Sequence, residues 1–195
     1  MSDIPTLVLV EGESDAAAVR ALLDRLGLDA ISQHLQVSPA AGVTNFSKVL
    51  AAFARAHPGA RLCGIYDSAD EWHVRHALTA AAVPLPAEES PESAGFFACV
   101  ADLEDELIRA LGPEVVEQVL EGHAELPSFR RFQAMPEHRQ SHIHRQLHRF
   151  LGTPATRKIR CAKLLVERLD LAKLPFPFAG LASRLIEGGY RCAPQ

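Results

Sequence analysis

The stretch TLVLVEGESDAAAVRALL, residues 6–23, decides the fold class of this sequence. It begins with an uninterrupted apolar run, which is typical of a strand that is buried on both faces. The run ends on three acids, Glu11, Glu13 and Asp15, and apolar residues then recur at helical spacing. Like charges this close repel each other unless water, a cation or hydrogen bonds hold them. We therefore expect a strand, a tight turn and a helix, with a candidate metal site at the turn.

The same alternation of strand and helix continues through the first 112 residues of the chain. Ser14 is expected to cap the first helix, which Gly27 ends. Further strands are predicted at residues 34–38, 62–66 and 96–100, and further helices at residues 45–57 and 71–82. This order predicts βαβ units and an α/β fold with a mainly parallel sheet flanked by helices. Ligands of such sheets bind beyond the carboxyl ends of the strands.

The last third of the chain is predicted to be helical and basic. Helices are expected at residues 113–122, 137–151, 155–169 and 181–188. Residues 1–125 contain 20 acidic and 7 basic side chains, a net charge of −13, whereas residues 126–195 contain 4 and 13, a net charge of +9. Such asymmetry is expected when one part of a protein collects cations and another faces a polyanion; two faces that neutralise each other would give the same count. We divide the chain into a core of residues 1–112 and a helical, basic C-terminal region of residues 113–195.

Composition and cysteine spacing exclude several classes of protein. The chain is 48% hydrophobic and 23% charged, which is ordinary for a globular protein. No apolar run reaches the roughly 18 residues of a membrane helix, and no signal peptide is recognisable, so a cytoplasmic location is expected. Cys63, Cys99, Cys161 and Cys192 show no C-x-x-C spacing. Neither a zinc ribbon nor a disulfide framework is therefore predicted, and the thiols are expected to be reduced and mostly buried.

Acidic residues follow three of the predicted strands. The groups are Glu11 with Asp15, Asp67 with Asp70, and Asp102 with Glu104, Asp105 and Glu106. Acids are common at helix N-termini because of the helix dipole, so only the three groups together favour a metal site. Hard oxygen ligands of this kind suit Mg²⁺ or Mn²⁺. Two such ions about 3.5–4 Å apart can activate a water molecule and stabilise the leaving oxygen in phosphodiester hydrolysis.

Five segments resemble a known family. VEGESD (residues 10–15) and YDSADE (residues 66–71) are similar to the glutamate and aspartate motifs of the Toprim domain. Within the proteins that contain this domain, the nucleases of the OLD (overcoming lysogenization defect) family are the most similar subgroup. Three other segments also resemble them: SPAAGVTNFSKVLAAF (residues 38–53), DLEDEL (residues 102–107) and KIRCAKLL (residues 158–165). The resemblance extends over about residues 6–174. It implies a Rossmann-like Toprim fold with a helical C-terminal extension, and metal-dependent endonuclease or nickase activity on DNA.

The resemblance also implies roles for single residues. Glu11 would bind metal and take part in acid–base chemistry, with Asp15 as a neighbouring ligand. Asp67 would be the first aspartate of the aspartate motif. The family usually has Asp-x-Asp, whereas this chain has Asp67, Ser68, Ala69 and Asp70. Either Asp70 substitutes through a longer turn, or one of the two metal sites is altered.

A second metal site would be formed by Asp102 and Glu106, with Glu104 as a competing choice for the glutamate. Lys158 would stabilise the charge that grows on the scissile phosphate, and Lys163 is the next candidate. The resemblance thus implies two ions, Mg²⁺ or Mn²⁺, in a metal-dependent phosphodiester hydrolase.

The sequence departs from full-length OLD nucleases in one larger respect. Those proteins join the Toprim domain to an ABC-type ATPase, but no G-x-x-x-x-G-K-[ST] motif occurs here, and the four lysines are Lys48, Lys158, Lys163 and Lys173. We therefore expect a standalone Toprim nuclease without an ATP site, and any ATPase would be a separate partner. The alternative is a catalytically altered Toprim module that binds nucleic acid or a partner ATPase without cleaving.

The run EHRQSHIHRQLHRF, residues 137–150, interleaves histidines with arginines. His138 with His142, and His144 with His148, have the spacing of a metal clip, but phosphate contact or a solvated face also explains the pattern. DNA contacts are predicted for Arg139, Arg145, Arg149, Arg157 and Lys163. Tyr66 and Trp72 are interpreted as packing residues.

Overall fold

The computed structural model describes residues 4–28 and 34–187. Its strands are β1 (Thr6–Val10), β2 (Leu35–Pro39), β3 (Arg61–Asp67) and β4 (Phe96–Cys99). They form one sheet in the order β2-β1-β3-β4, and every neighbouring pair is parallel. The parallel α/β architecture predicted from the sequence is therefore confirmed.

Nine α-helices are present in the described part of the chain. They are α1 (Glu13–Arg25), α2 (Phe46–Ala56), α3 (Glu71–Ala80), α4 (Leu103–Leu111), α5 (Pro113–Gly122), α6 (Leu126–Ala134), α7 (Ile143–Leu151), α8 (Ala155–Val166) and α9 (Phe176–Glu187). A 3₁₀ turn, Ser68–Asp70, joins β3 to α3.

The sheet is covered on both faces because side chains alternate along each strand. Leu7 and Leu9 of β1 belong to one hydrophobic cluster, which includes Phe46 and Leu50 of α2 and Leu78 of α3. The intervening β1 residues belong to a second cluster with residues of α1, α4, α5, α7, α8 and α9. Burial on both faces explains why β1 is an uninterrupted apolar run in the sequence.

The basic C-terminal helices share this second cluster with the N-terminal part of the chain. Helix α8 packs against α1, and α9 packs against β3 and β4. The Arg25 guanidinium, at the end of α1, donates hydrogen bonds to the carbonyls of Val166 (2.7 Å) and Leu169 (2.8 Å). The acidic part of the chain up to residue 125 and the basic part after it therefore share one hydrophobic cluster.

Several helix boundaries differ from the sequence prediction. Residues 137–142 form turns rather than the start of a helix, because the Gln146 side chain donates to the His138 carbonyl (2.8 Å) and His142 caps α7. Helix α6 was not predicted, and α9 begins at Phe176 rather than at residue 181. Gly12, not Ser14, is the N-cap of α1.

Cys63, Cys99 and Cys161 are buried and unbridged, whereas Cys192 lies outside the described residues. Burial raises the pKa of the Cys63 thiol to about 12, so it stays protonated at neutral pH. Within residues 4–28 and 34–187, every helix is too short or too polar to span a bilayer.

Candidate metal centre

The carboxyl ends of the strands open into an acidic cavity of about 290 Å³. Its lining consists of Glu11, Gly12, Ser14, Asp15, Ala41, Gly42, Asp67, Asp102, Glu104 and Lys158. Five of the residues predicted from the sequence are thus brought together, namely Glu11, Asp15, Asp67, Asp102 and Lys158. Glu11 and Asp67 lie at the ends of β1 and β3. Asp15 and Asp102 lie at the starts of α1 and α4, and Lys158 lies on α8.

Glu11, Asp67 and Asp70 form the tightest acidic group of the site. Each offers a carboxylate oxygen within 4.8 Å of the others. The 3₁₀ turn Ser68–Asp70 brings Asp70 back toward Asp67, and the Ser68 hydroxyl holds this turn by donating to the Val100 carbonyl (2.8 Å). The longer spacing of the aspartate motif is therefore compatible with two converging carboxylates.

Asp15 lies in the first turn of α1, and hydrogen bonds from neighbouring residues hold its carboxylate. Its Oδ2 accepts a hydrogen bond from the Gly12 backbone N–H (2.9 Å), and its Oδ1 accepts one from the Ser14 hydroxyl (3.4 Å). Burial raises the pKa of Asp15, and the bond from Gly12 opposes this rise.

The carboxylates of the cavity raise one another's pKa. Burial is the largest cause at both Glu11 and Asp67, and the neighbouring acids add to it. For Asp67, burial together with Asp15, Glu11, Asp102 and Asp70 raises the pKa to about 7. Negative charge is therefore concentrated here beyond what the protein's own groups neutralise, and a bound cation would relieve it.

Asp102 is the N-cap of α4, and both of its oxygens are engaged. Oδ1 accepts from the Asp105 backbone N–H (2.8 Å), and Oδ2 lies 2.6 Å from Nε2 of His148 on α7. Burial alone would raise the pKa of Asp102, but the bonds from His148 and Asp105 lower it below its usual range. The same contact with Asp102 raises the pKa of His148.

Glu104, rather than Glu106, reaches the acidic cavity. Glu104 Oε2 pairs with Lys158 Nζ (3.2 Å), while Oε1 is buried and has no hydrogen-bond partner among the described residues. Glu106 Oε1 accepts from the Val100 backbone N–H (2.8 Å) and pairs with Arg109 (2.6 Å). It lines a different cavity. Since residues two apart on a helix point in different directions, only one of these glutamates can face the site.

Lys158 contributes a positively charged side chain to the lining of the cavity. Burial disfavours its charge, but Glu104, Asp15 and Asp102 raise its pKa overall, so the ammonium is retained at neutral pH. The donor set fits Mg²⁺ or Mn²⁺, because it consists of carboxylate oxygens and includes the buried, unpartnered Oε1 of Glu104.

The residues predicted to contact DNA are placed in different environments. Arg145 and Arg149 are exposed on α7, Arg139 is exposed in the turn before it, and Lys163 is exposed on α8. Arg157, in contrast, pairs with Glu125 and lies 4.0 Å from the centre of the Phe150 ring.

The histidine run does not form a metal clip in the described residues. His138 stacks on Phe132 with ring centroids 3.8 Å apart, and His148 faces Asp102. Tyr66 is 3% exposed, in agreement with the packing role predicted for it, but Trp72 is 68% exposed, and its ring stacks on His76 and meets His73 edge-on. The prediction that Trp72 packs in the core is wrong, because it lies on the outer face of α3.

Two parts of the site were not predicted from the sequence. One is the contact of His148 with Asp102, for which a separation of 46 residues in sequence leaves no local signal. The other is the loop after β2, where Gly42 N–H donates to the Glu11 carbonyl (3.1 Å). The Asn45 side chain donates to the carbonyls of Ala40 and Ala41 (both 3.0 Å) and so fixes the wall of the cavity.

The parallel sheet and the carboxylates at its carboxyl edge define the class of protein as a Toprim-type α/β fold. Residues 5–68 match the family described as overcoming lysogenization defect protein-like, TOPRIM domain. The family resemblance inferred from the motifs is thereby confirmed.

Solved structures extend the similarity of fold to almost the whole chain. The C-terminal region of the Xanthomonas campestris pv. campestris OLD protein has a TM-score of 0.66 and 18% identity over 96% of this chain and 97% of that one. The C-terminal region of the Burkholderia pseudomallei OLD protein has a TM-score of 0.64 and 16% identity, over 95% of this chain and 98% of that one. No curated protein sequence matches the chain.

Proposed function

We propose that the protein is a metal-dependent nuclease that hydrolyses phosphodiester bonds in DNA. The observation that carries this proposal is the convergence of Glu11, Asp15, Asp67 and Glu104 with Lys158 in one cavity. An acidic pocket that also holds a lysine suits a phosphodiester, because ions held by the acids and the ammonium can together neutralise a phosphate. The OLD-like TOPRIM match over residues 5–68 supports the same reaction class.

Two groups of carboxylates would hold two ions. Glu11, Asp67 and Asp70 supply the first group, since their oxygens already lie within 4.8 Å of one another. Asp102 and Glu104 supply the second, with Asp15 between the groups. When bound, Mg²⁺ or Mn²⁺ would supply the Lewis acidity that activates water and stabilises the leaving oxygen.

The protein's own groups would orient and neutralise the phosphodiester. Lys158 is held at the cavity by Glu104 and keeps its proton, so it can donate a charged hydrogen bond to a phosphate oxygen. Glu11 is the acid at the tip of β1, and burial raises its pKa above its usual range, which strengthens this carboxylate as a proton acceptor.

Residues 113–195 would supply the contacts that position the DNA backbone. Arg145 is one helical turn from both His148 and Arg149, so exposed positive charge on α7 begins beside the acidic cavity. Arg139 and Lys163 would extend this positively charged surface, whereas Arg157 forms an ion pair with Glu125. We place the protein in the cytoplasm, where DNA is accessible. Any ATPase that acts with it lies outside these residues, because they contain no P-loop motif.

A plasmid-nicking assay with Mn²⁺ tests the proposal. Wild-type protein should convert supercoiled plasmid to the nicked or linear form, and Glu11→Ala should abolish this. The matched control is Glu13→Ala, because Glu13 is an exposed acid of the same turn and does not line the cavity. Equal nicking by wild type and Glu11→Ala would reveal a contaminant. No nicking by any variant would contradict the proposal and favour a DNA-binding or partner-binding Toprim module.

A further inference from the structure

His148 connects the basic helix α7 to the acidic cavity through a single short contact. Its Nε2 lies 2.6 Å from Asp102 Oδ2, and both side chains are partly buried. The histidine is 46 residues away in sequence and belongs to a different helix, so local backbone geometry does not impose the contact. Helices α4 and α7 pack against each other, and this packing brings the two groups together.

The contact completes the immobilisation of the Asp102 carboxylate. Oδ1 is fixed by the backbone N–H of Asp105 in the first turn of α4. His148 fixes Oδ2, so the carboxylate can neither rotate about its terminal bond nor turn away from the cavity. Each oxygen keeps a second lone pair that can be offered to an ion.

We propose that His148 is a positioning residue that holds Asp102 in the orientation in which it binds a divalent ion. This inference rests on the metal centre of the proposed function. Hydrogen-bonding partners of metal-binding side chains fix the direction of the ligand's lone pairs, and their loss typically weakens metal binding by roughly 10- to 100-fold. The Nε2 of His148 is directed at Asp102 and is therefore not offered to the ion.

Titration of metal-free protein with MnCl₂ in a calorimeter tests this role without reference to activity. His148→Leu removes the donor but keeps an apolar side chain, and it should weaken Mn²⁺ binding by about 10- to 100-fold. His148→Gln retains an N–H donor and should recover part of this loss. His144→Leu is the matched control, since His144 lies one turn earlier on the same helix and contacts His142 rather than Asp102. Wild-type affinity in His148→Leu would overturn the inference.

A double-variant cycle separates positioning from a general structural role. In an Asp102→Asn background, His148→Leu should have no further effect on Mn²⁺ affinity, because the side chain on which it acts is already altered. An undiminished further loss would show that His148 acts elsewhere, or binds the ion directly, and would overturn the inference. Should His148→Leu fail to fold, as judged by circular dichroism, His148→Ala is used in both comparisons.

The same titrations distinguish this inference from the proposed function. If wild-type protein binds no Mn²⁺, the metal centre itself is contradicted. If wild-type protein binds Mn²⁺ and loses binding on Glu11→Ala, but His148→Leu binds as wild type does, only the positioning role is contradicted.

Discussion

Lys158 Nζ lies 3.2 Å from Glu104 Oε2, and this ion pair joins α8 to the first turn of α4 at the wall of the acidic cavity. The two partners differ in exposure, because the side chain of Glu104 is 4% exposed and that of Lys158 is 37% exposed. The buried carboxylate therefore depends on the lysine for its charge balance in the metal-free protein, while the lysine still reaches the space where a phosphate would bind.

We expect Lys158→Met to lower both activity and stability. Nicking should fall by about 10²- to 10³-fold, the range typical of a lost donor to a transition-state charge. The free energy of unfolding should fall by about 1–2 kcal/mol, a value reduced for the partial exposure of Lys158, because Glu104 loses its partner. Thermal melts in EDTA and initial nicking rates measure the two effects.

The double variant Lys158→Met/Glu104→Gln separates these effects. It should regain the lost stability, since no uncompensated carboxylate remains, but it should not regain nicking. Recovery of nicking in the double variant would show that Lys158 only balances the charge of Glu104.

Glu104 and Glu106 should respond in opposite ways to amide substitution. Glu104→Gln should weaken Mn²⁺ binding by about tenfold or more, because it removes a carboxylate from the cavity. Glu106→Gln should leave Mn²⁺ affinity unchanged and lower stability by about 1 kcal/mol, because it removes one of the two carboxylates that pair with Arg109. Calorimetric titration of both variants against wild type checks the assignment, and the reverse pattern would restore Glu106 as the metal-binding glutamate.

The pH dependence of stability should reflect the raised pKa of Asp67. Its pKa is raised from 3.8 to about 7, so the folded protein binds more protons than the unfolded chain between these values. Stability in EDTA therefore decreases as the pH rises through this interval, and Asp67 opposes folding fully only above about pH 7. Allowing for solvent screening of a half-exposed group, we expect Asp67→Asn to stabilise the metal-free protein by about 1–2 kcal/mol near pH 8.

Denaturant unfolding of wild type and Asp67→Asn at about pH 4 and about pH 8 measures this effect. The stabilisation should be much smaller at the lower pH, where the carboxyl is protonated in the folded state. Glu13→Gln, at an exposed acid outside the cavity, is the control. A destabilised Asp67→Asn at the higher pH would contradict the proposed repulsion.

The exposed arginines of α7 should determine the salt dependence of DNA binding. Arg145→Gln/Arg149→Gln should weaken binding and reduce the slope of log affinity against log salt by about 1.8, because two phosphate contacts are lost. Arg55→Gln, at the end of α2, is the control for a change of overall charge. Fluorescence anisotropy with labelled DNA over a salt series measures the slopes. Equal slopes for the double variant and wild type would place the DNA elsewhere.

The fold was predictable because its signals are local. Each buried strand is a continuous apolar run, each run is followed by a helical pattern, and parallel order follows from that alternation. The convergence of Glu11, Asp67 and Asp102 was predictable for the same reason, since the carboxyl ends of parallel strands share one edge of the sheet. The motif resemblance then added Lys158, which no strand pattern indicates.

The remaining features depend on packing between distant segments. Glu104 and Glu106 lie on one short helix, and only the position of α8 decides which of them meets Lys158. His148 gave no local signal, because its partner lies on another helix. The buried face of α3 carries Val74, Ala77 and Leu78, so Trp72 is exposed on the opposite face, and its large apolar ring alone favoured the wrong interpretation.

The anomalous signal from a crystal of wild-type protein soaked in MnCl₂ tests the central claim most directly. The account predicts anomalous peaks inside the acidic cavity, one within coordination distance of Glu11 and Asp67 and one beside Asp102 and Glu104. Strong Mn²⁺ peaks elsewhere in the crystal with none in this cavity would contradict the account, because these carboxylates would then not bind the ions that the proposed reaction requires.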